Sequence, residues 1–156
     1  MKAFITVFIL CCLSACAHPP PSTLTTPTVV LYGRGGIVDL NCRISLTPGT
    51  HKLGITNSCK QDNDFHFVIE NPREGVSFTF FADEDCIRNP PDNLNLGNIK
   101  YRIVDPIHGQ PTDMTGIDQG RGVTPGTEIN PGIVLVEGSL GLPPVEGRDK
   151  CILVSD

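Results

Sequence analysis

At 156 residues the chain has room for one domain of ordinary size. Its 14 Pro and 16 Gly leave little room for long helices and point to strands and turns. With 12 Lys+Arg against 17 Asp+Glu the formal charge is −5, which argues against nucleic acid as a partner. The first element in chain order is a secretory leader over 1–15, with Lys2 as the basic end, AFITVFILCCL over 3–13 as the apolar core, and small residues behind it. That core is too short to span a bilayer as a permanent helix. Removing the leader takes away only one charged residue, Lys2, and leaves the mature chain at about −6.

Leu13-Ser14-Ala15-Cys16 closes the leader. These residues resemble the lipobox of bacterial lipoproteins, in which small residues fit a narrow peptidase site and a thiol is needed to carry the lipid. The resemblance implies cleavage before Cys16, acylation of its sulfur and, since Ala17 and not Asp follows, sorting to the outer membrane. A single acyl chain binds a bilayer only marginally, at about 0.8 kcal/mol per buried CH₂, so several chains on Cys16 make the attachment stable. Behind the lipidated cysteine, 16–28 is a tether: AHPPPSTLTTPT holds four Pro, four Thr and no acid or base. In extended polyproline geometry it reaches roughly 35 Å from the lipid. A single β-rich domain is expected over 29–156.

Within that domain, short apolar or alternating runs recur between turn signals at 29–32, 37–46, 51–55, 65–70, 76–82, 99–104, 133–137 and 151–154, about eight strands. The run VDLNCRISL alternates strictly, with Val38, Leu40, Cys42, Ile44 and Leu46 expected to face inward. Turns fall at 32–36, 47–50, 71–75 and 89–93, all rich in Gly, Pro and Asn. The expected fold is all-β, a small antiparallel sandwich or Greek-key barrel stapled by disulfides. The stretch 105–132 has six Gly and four Pro and no run that reads as a strand. A loop of that length is a candidate interaction loop, with His108, Asp113 and Arg121 its foremost polar residues.

Four cysteines remain after export and anchoring: Cys42, Cys59, Cys86 and Cys151. An even number in an exported chain reads as two disulfides. Three connectivities are open; pairing Cys59 with Cys86 and Cys42 with Cys151 is the one expected, since it staples neighbouring strands and ties the last strand to an early one.

The segment 46–88 resembles part of a βγ-crystallin-type Greek key: the Pro48-Gly49 turn, the Asn63-Asp64 pair before Phe67-Val68-Ile69, then Gly75 and the acidic corner Phe81-Ala82-Asp83-Glu84-Asp85. The resemblance implies a Ca²⁺ site, for which Asp62, Asp64, Asp83 and Asp85 are the candidate oxygen ligands. The hydroxyl residue that such sites place after the Asn-Asp pair is missing here. Solvated turn acids are the simpler reading of these four residues.

No nucleophile elbow, metalloprotease helix motif, phosphate loop or dinucleotide fingerprint occurs. His66, between Phe65 and Phe67, should face solvent while the aromatics face inward. The expectation is therefore a lipid-anchored outer-membrane binding protein without catalytic activity, meeting another envelope protein as an inhibitor, immunity protein or accessory. Two rivals stand beside it: an envelope hydrolase of cell-wall or glycan substrates using His108 with Asp105 or Asp113, and a structural accessory of outer-membrane assembly.

Overall fold

Alternation along the strands sorts side chains between two faces, and apolar burial joins the inner faces of two sheets. The computed structural model describes residues 25–61, 63–87, 97–106, 110–138 and 144–156. One sheet contains β2 (Leu40–Ser45), β1 (Thr28–Tyr32), β4 (His66–Glu70) and β7 (Thr115–Gly116), in that spatial order. The other runs β3 (Gly49–Lys52), β10 (Cys151–Ser155), β5 (Ser77–Phe81), β6 (Asn98–Ile103), β9 (Ile133–Gly138) and β8 (Glu128–Asn130). All pairings are antiparallel, so the protein is an all-β sandwich.

Register brings apolar residues into rows across each sheet. Val29 lies between Ile44 and Ile69, and Leu31 between Cys42 and Phe67. In the second sheet Phe78 lies between Tyr101 and Val154, and Phe80 between Ile99 and Ile152. The rows meet at Phe67, whose ring centroid is 5.4 Å from each of Phe78, Phe80 and Tyr101. One aromatic of the first sheet thus packs among three of the second, in tilted and edge-on arrangements that the ring quadrupoles favour.

The strand pairings define two ends. Thr28 stands opposite Glu70, and Ser77 opposite Ser155, at the end where the chain enters from its N-terminal segment; Tyr32, His66, Phe81 and Cys151 stand at the other. The first is called proximal below and the second distal.

Three sequence expectations are corrected. The segment 37–46 is not one strand: Gly36, with φ +67°, opens a 3-10 turn over Gly36–Val38, and β2 begins only at Leu40. A register shift between Leu31 and Tyr32 pairs Tyr32 with Leu40 at the rim of the sheet. Cys42, Ile44 and Leu46 are therefore buried, while Leu40 is 48% and Val38 87% exposed. Second, the stretch 105–132 contains β7 and β8, one in each sheet, with Thr115 and Ile117 fully buried between them. Its short strands are two and three residues long, too short to carry a period-two signal. Third, the disulfides are Cys42–Cys59 and Cys86–Cys151. The reason is strand order: β5 has β10 as its neighbour, so Cys86, just beyond β5, is beside Cys151 at the start of β10.

Candidate interaction surface

The connection from β1 to β2 forms a closed, hydrogen-bonded tip at the distal end. Its amides are used internally: Gly33 donates to the Asp39 carbonyl (2.7 Å), Gly36 to the Gly33 carbonyl (3.1 Å) and Asp39 to the Gly36 carbonyl (2.8 Å). The Asp39 carboxylate also accepts a longer bond from the Gly35 amide at 3.4 Å. A Cβ on Gly33 would stand 2.1 Å from that carboxylate, so a larger residue there would have to displace the Asp39 side chain that bonds the Gly35 amide. The curl turns apolar side chains outward. Ile37 is 73% exposed and Val38 87%.

Around this tip stand Phe65, just before β4, and Arg34, whose guanidinium lies 4.9 Å from the Phe65 ring centre. Phe65 is half-buried and outside the core, contrary to the expectation that it faces inward with Phe67. The turn at Gly147, with φ +66°, passes so close to this ring that a Cβ would meet Phe65 Cζ at 2.6 Å. His66 is half-buried, with Nδ1 3.4 Å from the Gly33 carbonyl oxygen.

Beneath the tip, Asp64 and Asp149 are fully buried. The Asn41 amide on β2 donates to Asp64 Oδ1 at 2.6 Å and to the Lys60 carbonyl at 2.9 Å, and its own carbonyl accepts from the Lys60 amide. The Gly147 amide donates to the Asp64 backbone carbonyl at 2.5 Å. Burial raises the Asp64 carboxyl to about 6, against the lowering effect of the Asn41 bond. Asp118, where the chain leaves β7, accepts from the Val145 and Glu146 amides; burial raises its carboxyl despite those bonds.

The other candidates separate. Asp83 Oδ1 accepts from the Asp85 and Ile87 amides, Lys52 donates to Asp85 at 2.5 Å, and Lys150 approaches Glu84 at 3.6 Å. These acids shape a turn and hold lysines, and the hydrogen bond and charge of Asp85 raise the Lys52 ammonium above its ordinary value. Among the described residues no three His, Cys, Asp or Glu side chains form a group able to hold a metal ion. Asp62 and His108 lie outside the described residues. Asp113 is at the proximal end, where it lines a groove of about 300 Å³ with Asp105, Glu128 and four prolines. Arg121 lies beyond β7, in the turn where its amide donates to the Asp118 carbonyl. The stretch 105–132 therefore does not present one continuous loop surface.

The tip was hidden in the sequence by the alternation of VDLNCRISL; the contrary signal was three glycines in four residues directly before Ile37. Asp149 had no local signal at all. Comparison of the chain with protein-family models, with curated proteins and with solved structures finds no match in any of the three.

Proposed function

We propose that the protein is a lipid-anchored envelope binding protein that captures a protein partner with its distal end. One observation carries this reading: among the described residues the exposed large apolar side chains all lie at that end, Ile37, Val38, Ile55 and Ile87 in connections and Leu40 as the first residue of β2. Single exposed apolar residues are ordinary, but their concentration at one pole is a feature of interaction surfaces. A hydrogen-bonded tip loses little entropy on docking, and burying each of its two foremost side chains contributes about 1.5–3 kcal/mol. The N-terminal segment enters at the proximal end. With Cys16 acylated and 16–28 as tether, the apolar pole is free to face away from the membrane, toward an apolar cleft on another envelope protein.

The test is affinity capture from envelope extracts with the full lipidated chain. Ile37→Asp with Val38→Asp should reduce recovery of the partner at least tenfold while shifting stability by no more than about 0.5 kcal/mol, because both side chains are already exposed. A partner recovered equally by the wild type and the double variant would remove the tip from the binding role.

A further inference from the structure

The charge around the apolar tip runs against the charge of the whole chain. The formal charge is −5, yet three bases, Arg34, Lys60 and Arg148, stand exposed around Ile37 and Val38. Arg34 is part of the tip itself. Lys60 is fixed on the β2 side: its amide donates to the Asn41 side-chain carbonyl and its carbonyl accepts from Asn41 Nδ2, each at 2.9 Å. Arg148 stands on the β4 side, directly after Gly147, whose backbone closes on the Phe65 ring that also carries the Arg34 guanidinium.

None of the three forms an ion pair among the described residues. By contrast, Arg43 meets Glu70, Lys52 meets Asp85, Arg73 meets Asp156 and Lys150 meets Glu84, while Lys100 stands across from Glu137 in the register of β6 and β9. The acids next to the tip bases are half-buried: Asp39 accepts from the Gly35 amide within the curl, and Glu146 lies where its own amide donates to Asp118. The acidic corner Asp83-Glu84-Asp85 follows β5 of the other sheet, where it holds two lysines.

We propose that the tip's partner is a protein whose apolar cleft is rimmed by carboxylates, which Arg34, Lys60 and Arg148 engage on both sides of Ile37 and Val38. The inference rests on the binding reading of the tip and adds the chemistry of what the tip captures. Stacking on Phe65 covers one face of the Arg34 guanidinium and leaves its N–H edge open to a planar carboxylate, which takes two parallel bonds. Bases without an internal partner break no ion pair on docking. At the rim of an interface such charges act through association rate and partner choice, and salt screens them. Burial of the apolar pair holds the complex, and the bases select an acidic cleft over a neutral or basic one.

The probe is a chromatography resin bearing both phenyl and carboxylate groups, loaded at neutral pH with the mature chain in its Cys16→Ser form, so that no acyl chain contributes. Carboxylates repel a net-negative protein unless a local basic patch faces them. The chain with its tip intact should bind at low salt and elute by about 0.5 M, where charges are screened within a few ångströms. Arg34→Gln with Lys60→Gln and Arg148→Gln should pass through unretained at the wild-type denaturation midpoint, since all three side chains are exposed. No retention of the intact tip, or equal elution of the triple variant, would overturn the proposal. In envelope extracts the triple variant should recover about tenfold less partner at low salt. Undiminished capture by it, where Ile37→Asp with Val38→Asp abolishes capture, would overturn the acidic rim and leave the tip standing; undiminished capture by both would remove the tip as well. Sedimentation of the Cys16→Ser form with vesicles of phosphatidylethanolamine and phosphatidylglycerol, abolished in the triple variant, would assign the bases to a lipid surface and overturn the protein partner.

Discussion

Tyr101 shows how one buried polar atom can join strands and loops. Its ring packs beside Phe67 and Phe78 in the core, while its hydroxyl donates to the Ile117 carbonyl (2.7 Å) and accepts from the Gly120 amide (3.1 Å). These bonds hold the glycine-rich chain after β7 against the second sheet, and burial raises the phenol well above its ordinary range. Tyr101→Phe keeps the ring but leaves a buried carbonyl and a buried amide without that partner. The expected loss is about 1–3 kcal/mol, read as a lower urea midpoint with an unchanged slope. The sequence placed Tyr101 in a strand over 99–104. It could not show the hydroxyl's partners, since those come from residues 16 and 19 positions away.

The two disulfides act on elements of different kinds. Cys42–Cys59 closes a short loop of separation 17 and fastens the segment after β3 to the edge strand β2. Cys86–Cys151 spans 65 positions and fastens the chain leaving β5 to the start of β10. Longer loops lose more unfolded-state entropy when closed, so replacing Cys86 and Cys151 by Ala should cost about 4 kcal/mol, and replacing Cys42 and Cys59 about 3 kcal/mol. Denaturation midpoints of the two double variants check the order; a larger loss from the shorter loop would place the stabilisation in native packing instead. Strand existence was legible where five or six residues alternate or are continuously apolar, as in β1, β4, β5, β6, β9 and β10. β7 and β8 were not, because two or three residues hold no period and those strands exist only through pairing with β4 and β9.

For the whole molecule, the proposed function places attachment and recognition at opposite ends. The proximal end receives the chain at Thr28 and holds the acidic, proline-lined groove; the distal end gathers the exposed apolar residues over the buried Asp64 and Asp149. Cys16→Ser should release the chain from the membrane fraction, because without a thiol there is no thioether to carry acyl chains that hold it at about 0.8 kcal/mol per CH₂. Fractionation of the two forms tests this; a Cys16→Ser chain retained in the membrane after leader removal would contradict the anchor. The sequence by itself determined the all-β class, the inward faces of the long strands and the oxidised state of the four domain cysteines, because period, composition and cysteine parity are local or countable. Only the tertiary structure decided which cysteines pair, that Ile37 and Val38 leave the strand to form a tip, and that Asp64 and Asp149 are both buried. Each of those depends on strand order and on how far a sheet extends, and both follow from contacts between residues remote in the chain.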